Sequence, residues 1–376
     1  MVSGILLENG GPNGNHRGVR GGAAPVARRR LPRNIFGKMK SGRVDLFVGT
    51  VPHQVMTGTD QGALRVLVLG ATGTIGHAVV MAALEGGHAV DCVLRPHHAQ
   101  GGHGLPEAVA LHFGTVAQAL EAGGADVVIC CMASRNGAPA DAWAVDHGAT
   151  VAAVEAARAA GVGHFVLLSA ICVQRPLLEF QRAKLAAEAA LMASGLRYSI
   201  VRPTAFFKSL SGQLQRLRAG KPFLLFGDGR GTACKPISDG DLARYMLGCA
   251  GDPARGDRIL PVGGPGPAIT PLEQGGMLFR ALGREPQFRH VPVRLMDAIV
   301  AGLSLGGRVS AGLAAKAELA RIGRYYATQS MLVLDPVTGR YDAEATPETG
   351  QETLEDFYGR LVRGETDAPR GAHAVF

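Results

Sequence analysis

Apolar and polar residues follow one another along the chain in blocks that have the lengths of strands and helices. An apolar run at 64–69 leads through a glycine-rich turn into a helical stretch at about 74–87 and then a second apolar run at 89–94. Further runs of strand length lie at 109–113, 126–131, 164–168, 198–201 and 258–262. Alanine-rich stretches with amphipathic spacing lie at 143–160 and 178–194. This alternation predicts an α/β fold, with a doubly wound parallel sheet.

Beyond residue 203 the alternation is lost, and the pattern favours helices broken by loops. These predicted helices lie at 206–219, 238–250, 271–282 and 295–305. The glycine-broken stretch 302–312 fits either a loop or a weakly amphipathic surface segment. We therefore predict a sheet domain at 61–262, with parts of 204–250 joining a smaller, mostly helical C-terminal lobe. Residues 263–376 supply the remaining segments of that lobe and a tail, and residues 1–60 precede the sheet domain as an extension.

Composition excludes several classes of function. Only 5% of the 376 residues are aromatic, which argues against a platform for stacking nucleic-acid bases. The net charge is +8, but residues 1–60 hold nine Lys/Arg against three Asp/Glu, so the rest of the chain is nearly neutral and no nucleic-acid partner is predicted. The six cysteines form no C-x-x-C pair and no spacing typical of a metal site, so we predict no metal and a reducing compartment.

The extension at 1–60 is rich in glycine and arginine and poor in acids. It fits a disordered extension, a start assigned upstream of Met39 or Met56, or an organelle transit peptide. No apolar run approaches the roughly 20 residues that span a bilayer, so a soluble protein is predicted, with peripheral membrane association left open. The high content of alanine, glycine and arginine favours a bacterial cytoplasmic protein, and a chloroplast protein is the alternative if 1–60 is a transit peptide.

The glycine-rich turn at 70–76 carries the clearest chemical signal. It reads Gly-Ala-Thr-Gly-Thr-Ile-Gly, directly after an apolar strand and at the start of a helix. In this context Gly70 and Gly73 let the backbone approach a pyrophosphate, Gly76 lets helix and strand pack closely, and the helix N-terminus attracts the phosphates. The turn predicts a Rossmann-type domain that binds a nicotinamide dinucleotide.

Arg95 lies where the second strand ends, the position that contacts the adenosine ribose. A guanidinium there suits the 2′-phosphate of NADPH, whereas an NADH site would place a carboxylate at the strand end, and Asp91 falls inside the strand. NADPH is therefore the predicted cofactor. The predicted cofactor contacts are Gly70, Thr72, Gly73, Thr74, Ile75, Gly76, Arg95, Ala133, Ser134, Lys184 and Pro203.

Ser169 and the string Phe-Gln-Arg-Ala-Lys at 180–184 resemble the Ser…Tyr-x-x-x-Lys site of atypical and extended short-chain dehydrogenases/reductases. The blocks at 145–150, 201–203, 227–229 and 237–242 are also similar to that branch. Phe180 stands where the family has its tyrosine. In carbonyl-reducing relatives the tyrosine hydroxyl protonates the developing alkoxide, which a phenyl ring cannot do, so carbonyl reduction and sugar epimerisation are not expected here.

The longer strings at 168–184, 201–210 and 234–238 resemble the NADPH-dependent 8-vinyl reductases of divinyl chlorophyllide, and the similarity runs from about 64 to about 362. This resemblance implies reduction of a vinyl group on a tetrapyrrole, divinyl chlorophyllide or protochlorophyllide, in chlorophyll or bacteriochlorophyll biosynthesis. Such a reaction leaves no alkoxide to protonate, which agrees with the missing tyrosine. The alternative is a non-catalytic NADPH-binding relative, such as a redox sensor or an assembly subunit of a respiratory complex.

The candidate catalytic residues are Lys184, Ser169 and Cys172. Lys184 is expected to hold the nicotinamide ribose, on the strength of the family spacing. Ser169 is either an active-site hydroxyl or a loop hydroxyl, and Cys172 is either a proton donor or a small packed residue; water is a further source of the proton. A flat, apolar macrocycle with a propionate needs apolar walls and a cation. The candidates for these contacts are Arg175, Leu178, Phe180, Phe206, Phe207 and Lys208, with Leu177 and Lys235 as further options.

Overall fold

A computed structural model describes residues 62–135 and 137–366 of the chain. Residues 1–60, for which the sequence suggests a disordered extension, an upstream start or a transit peptide, lie outside the described residues. The strands are β1 Arg65–Leu69, β2 Ala89–Val93, β3 Ala110–His112, β4 Val127–Cys130, β5 His164–Leu168, β6 Tyr198–Pro203, β7 Phe223–Phe226, β8 Arg258–Val262, β9 Phe288–Val291, β10 Val333–Leu334 and β11 Tyr341–Asp342. The helices are α1 Thr74–Glu85, α2 Val116–Gly123, α3 Pro139–Ala142, α4 Thr150–Ala159, α5 Glu179–Ala193, α6 Leu214–Arg218, α7 Asp239–Gly251, α8 Pro271–Ala281, α9 Val293–Gly306, α10 Ala311–Thr328 and α11 Leu354–Arg363.

Seven parallel strands form the central sheet, in the order β3-β2-β1-β4-β5-β6-β8. The order reverses between β1 and β4, the place where ligands bind in open α/β sheets. Successive residues of β1 face opposite sides, so Val66 and Val68 join the core under α1 and α7, while Leu67 and Leu69 join the core under α4 and α5. The predicted doubly wound sheet is confirmed.

The second lobe departs from the sheet after β6 and holds more strand than the sequence indicates. β7 pairs with β9 in parallel and β10 pairs with β11 in an antiparallel hairpin. Its core packs Phe207, Phe223 and Tyr358 together, and the Tyr358 hydroxyl donates to the Leu210 carbonyl at 2.8 Å. The lobe is therefore mostly helical, as predicted, with two small two-stranded sheets added.

Several helices differ in their bounds from the predicted ones. The predicted helix at 206–219 is a short 3₁₀ turn, Lys208–Ser211, followed by α6. The predicted helix at 143–160 begins with a π-helical turn, Trp143–Ala149, before α4. The undecided stretch 302–312 contains the end of α9, the short connection 307–310 and the start of α10, and these two helices pack side by side.

One buried histidine in β5 links stability to pH. His164 is 4% exposed and its Nε2 lies 2.9 Å from Ser199 Oγ on β6. Burial, assisted by the positive charge of Arg197, lowers the pKa of His164 to about 4. Since the unfolded chain protonates this ring near its ordinary pKa of 6.5 and the folded chain does not, acid favours unfolding.

We therefore expect the free energy of unfolding to fall as pH is lowered from about 6.5 towards 4. Urea unfolding at pH 7.5 and pH 5 would measure the difference for the parent protein and for His164→Gln, which keeps a polar side chain but does not titrate. The variant should show a smaller difference between the two pH values. Equal differences would contradict the assignment, since the remaining titrating groups are common to both proteins.

Candidate active site and cofactor-binding loop

The turn between β1 and α1 is built for close approach of a ligand to the backbone. Gly70 adopts φ +78°, and a Cβ there would lie 2.8 Å from the carbonyl carbon of Cys131. A Cβ on Gly76 would lie 2.2 Å from the Gly70 oxygen. α1 starts after Gly73 with no side chain capping its first turn, so its N–H groups are available to an anion. These features fit the pyrophosphate of a dinucleotide.

Lys208 reaches this same turn from the second lobe. Its Nζ donates to Thr74 Oγ1 at 2.9 Å, at the N-terminus of α1. The structure therefore places this cation beside the glycine-rich turn at 70–76, whereas the sequence had suggested a contact with the substrate. Burial raises the pKa of nearby Asp239 to about 6, while the Lys208 ammonium acts in the opposite direction. A phosphate at this turn would meet a positive side chain as well as the helix N-terminus.

Arg95 follows β2 directly and is exposed, at the start of the short 3₁₀ helix Pro96–Gln100. Its position at the carboxyl edge of the sheet agrees with the predicted contact to a 2′-phosphate. Asp91, the rival carboxylate, is 7% exposed, and its Oδ1 lies 2.7 Å from His112 Nε2 on β3. Asp91 therefore stabilises the sheet edge and is not available to a ribose.

Lys184 projects from α5 towards the π-helical turn that precedes α4. Its Nζ lies 2.9 Å from Asp146 Oδ1, and the two side chains are 13% and 1% exposed. The second Asp146 oxygen accepts from the backbone N–H of Ser134 at 3.3 Å. One buried carboxylate thus fixes both the lysine and the loop after β4 that carries Ala133 and Ser134, two of the predicted cofactor contacts.

Asp146 was missed as a site residue by the sequence analysis. The block 145–150 that contains it was noted only as a mark of resemblance. The available signal was a carboxylate in that block one helix before the Lys184 segment, but its contact with Lys184 depends on the π-helical turn, which the residue pattern does not indicate.

Ser169, at the carboxyl end of β5, belongs to a buried polar network. Its hydroxyl donates to Glu188 of α5, and the same carboxylate accepts from Arg202 Nε at 3.0 Å and pairs with a second nitrogen of that guanidinium. Glu188 is 1% exposed. Because the Ser169 hydrogen points at Glu188, its oxygen presents lone pairs rather than a proton to its surroundings.

Cys172 and Phe180 lie under helix α10 of the second lobe. Cys172 is 4% exposed, burial raises the pKa of its thiol, and its carbonyl accepts from the Tyr325 hydroxyl at 2.9 Å. Phe180 packs at the edge of the same apolar cluster, which also contains Ile322. This placement favours packing for Cys172, the second of the two alternatives open from the sequence, and puts α10 over the position where relatives have tyrosine.

The other predicted substrate residues are not gathered into one apolar pocket. Phe207 is 2% exposed in the core of the second lobe, with its ring 5.4 Å from that of Phe357, and Leu178 is 5% exposed. Arg175 is exposed and donates to Gln329 Oε1 at 3.0 Å. Lys235 is buried and lies 2.5 Å from Glu348 Oε1. The aromatic wall predicted from Phe207 is therefore core packing, and Phe206 is half-buried against the sheet core.

Within the described ranges, no group of three or more His, Cys, Asp or Glu side chains is arranged to hold a metal ion.

Pro203 is buried at the carboxyl end of β6, on the same edge as the glycine turn, Arg95 and Ser169. The predicted dinucleotide contacts thus meet along the carboxyl ends of β1, β2, β4, β5 and β6.

A protein-family model described as NAD(P)H-binding matches residues 70–253. Among solved structures, NADPH-dependent quinone oxidoreductase QOR2 from Escherichia coli, complexed with NADPH, aligns with a TM-score of 0.57 at 17% identity over 79% of this chain and 99% of its own. That likeness shows the fold. The predicted nicotinamide cofactor is confirmed at the level of NAD(P)H, and NADPH is consistent with these matches. Fold and site together define an NAD(P)H-binding protein with a Rossmann-type fold.

Two curated relatives carry the comparison further. The protein named divinyl chlorophyllide a 8-vinyl-reductase, chloroplastic, from Oryza sativa subsp. indica is 49% identical over 331 residues, covering 83% of this chain and 82% of its own. The protein of the same name from Arabidopsis thaliana is 46% identical over 321 residues, covering 80% and 77%. The chain belongs to the divinyl chlorophyllide a 8-vinyl-reductase family, as the strings at 168–184 and 201–210 predict.

The same relatives correct the predicted compartment. Both names place those proteins in the chloroplast, whereas the composition had favoured a bacterial cytoplasm. That expectation is wrong. Alanine, glycine and arginine content follows the base composition of a genome as much as the cell type, so it does not report a compartment.

Proposed function

We propose that this chain uses NADPH to reduce the 8-vinyl group of divinyl chlorophyllide a to an ethyl group, in chlorophyll biosynthesis. The observation that carries the proposal is the 49% identity, over most of both chains, to a relative named for this reaction. Two features of the site support it: the open glycine cradle for a dinucleotide, and Phe180 in place of the tyrosine that protonates alkoxides in carbonyl reductases.

We infer the following roles for the residues that would hold the cofactor. The turn 70–76 and Lys208 bind the pyrophosphate, and Arg95 binds the 2′-phosphate. Lys184 donates to the nicotinamide ribose, and its ion pair with Asp146 holds the ammonium in position. When bound, NADPH supplies the hydride.

The second hydrogen of the ethyl group needs a proton source. Phe180 has no proton to give, and the Ser169 hydrogen is engaged with Glu188. The Cys172 thiol is buried under α10, where Tyr325 covers its backbone. We therefore propose that water supplies the proton. We propose that Ser169 acts only as a hydrogen-bond acceptor at the end of β5.

The names of the relatives specify chlorophyllide, and this supports the choice of pigment proposed here. We propose divinyl chlorophyllide a as the main substrate and divinyl protochlorophyllide as a weaker one. We also propose the chloroplast as the compartment of this chain, on the same ground.

The decisive experiment mixes the purified full chain, NADPH and divinyl chlorophyllide a and follows the Soret band of the pigment. Loss of the conjugated vinyl group should shift the band to shorter wavelength, with stoichiometric oxidation of NADPH at 340 nm. A parallel reaction with divinyl protochlorophyllide measures the pigment preference. Tight NADPH binding with no spectral change on either pigment would contradict the reductase and favour the non-catalytic alternative.

Replacing Arg95 by serine should weaken the preference for NADPH over NADH. A charge-assisted hydrogen bond to phosphate contributes about 1.5–3 kcal/mol, so the KM for NADPH should rise roughly 10- to 100-fold. The KM for NADH should stay within about twofold, because NADH has no 2′-phosphate to lose. Arg158→Ser, at an exposed position of α4, is the matched control. A parallel rise for both cofactors would show that Arg95 acts on the fold and not on the phosphate.

A further inference from the structure

α9 and α10 form a hairpin whose two helices pack very closely. A Cβ on Gly307 would lie 2.9 Å from Ala314 Cα, so only glycine fits at that point of the turn. The inner side of α9 is anchored by Met296, which is 8% exposed. The hairpin is therefore a well-packed element with a defined outer side.

That outer side is apolar. Leu295, Ile299, Leu305 and Val309 are 51%, 47%, 65% and 89% exposed. The three that lie on α9 fall within an arc of about 120°, at 100° per residue, with exposed Ala298 and Gly302 between them. Single exposed apolar residues are ordinary in folded proteins, but several on one side of a helix indicate a surface that contacts a partner.

Cations border this apolar face. Arg294 and Arg308 are exposed and adjoin Leu295 and Val309 in the sequence, and Lys316 is exposed on α10. Within 292–317 the one acidic residue is Asp297, and Arg324 pairs with it. An apolar stripe with basic residues at its rim suits an anionic lipid surface, where the apolar side chains enter the acyl boundary and each cation adds attraction to the headgroups.

We propose that the outer face of the α9–α10 hairpin, meaning Leu295, Ile299, Leu305 and Val309 with the cations at its rim, binds the surface of an anionic lipid bilayer. Binding is peripheral: no helix among the described residues is long and apolar enough to cross a membrane, and α9 has 14 residues where a span needs about 20. A second copy of the chain is a poorer partner, because a twofold interface would bring the cationic rims of two identical faces together.

The test sediments the full chain with vesicles of phosphatidylcholine alone, or of phosphatidylcholine mixed with the anionic lipid phosphatidylglycerol. The parent protein should bind the anionic vesicles, with affinity falling several-fold at high salt, and bind neutral vesicles weakly. Val309→Glu and Leu305→Glu should each weaken binding at least about 10-fold, since each replaces an inserted apolar side chain by a charge that anionic lipid repels.

Val337→Glu provides the matched control, because Val337 is 90% exposed in the turn of the β10–β11 hairpin, away from this face. It should bind like the parent protein. All three positions are exposed, so unchanged circular dichroism and NADPH binding are expected and would confirm intact folding. The proposal is overturned if the parent protein does not bind anionic vesicles, if Val337→Glu loses binding equally, or if Val309→Glu abolishes self-association measured by sedimentation equilibrium while leaving vesicle binding intact.

Discussion

Lys184→Ala should lower kcat/KM for the pigment at least about 100-fold, because it removes the charge-assisted contact that we propose to the nicotinamide ribose and the alignment that this contact would supply. The structure supports a large effect, since Lys184 is mostly buried and aimed by Asp146 rather than free on the helix surface. Arg182→Ala is the matched control on the same helix: Arg182 is 52% exposed and pairs with Glu179 near the surface. It should retain nearly full activity.

The same substitution should also destabilise the protein, and this must be separated from its effect on turnover. Removing one partner of a buried ion pair leaves the other charge unpaired and typically costs about 3–5 kcal/mol. The double variant Lys184→Met with Asp146→Asn removes both charges, keeps an acceptor for the Ser134 N–H, and should recover most of the unfolding free energy while staying inactive. Steady-state kinetics and urea unfolding measure the two quantities. Normal turnover by Lys184→Ala, or an active double variant, would contradict the proposed role of Lys184 at the nicotinamide ribose.

Glu188→Ala should lower the free energy of unfolding by about 3–5 kcal/mol. The carboxylate is 1% exposed and serves both Ser169 and Arg202, whose side chain is only 15% exposed, so its removal leaves a largely buried guanidinium without a counter-charge. The effect should be visible as a shift of the urea midpoint with little change in slope.

Glu355→Ala is the control for this prediction. Glu355 pairs with Arg280 near the surface, where the two side chains are 54% and 60% exposed, and exposed pairs contribute about 0–1 kcal/mol. A loss of similar size in both variants would contradict the view that burial, and not pairing as such, sets the cost. Glu188→Gln should fall between them, because it keeps hydrogen-bond acceptance but not the charge.

The sheet domain was predictable because its signals are local. An apolar strand, a glycine turn and a helix occur in one stretch of about 30 residues, and the turn predicts a dinucleotide cradle from the backbone requirements of Gly70 and Gly76 alone. Arg95 follows from its place at the end of β2. Phe180 lacks the hydroxyl of the tyrosine found at this position in carbonyl reductases, so carbonyl reduction was not expected.

The second lobe was harder to predict because its elements are short or have mixed patterns. β7 and β9 have four residues each and pair across about 60 residues of chain, so neither shows its partner in the sequence. α10, at 311–328, was not predicted, although it covers Phe180 and Cys172 in the folded chain. Phe207 and Leu178 looked like pocket walls because apolar side chains have the same appearance in a core and in a pocket.

The class of fold, the glycine-rich turn, a nicotinamide cofactor and the family could all be predicted from the sequence, since each rests on residues that are neighbours along the chain. The contacts of the separate candidate residues, in contrast, depend on the folded chain. In the folded chain Lys184 pairs with Asp146, and the Ser169 hydroxyl donates to Glu188. Lys208 of the second lobe donates to Thr74 in the glycine-rich turn. The reason is physical: the energy of a charge or a hydroxyl depends on the burial and partners that distant segments supply.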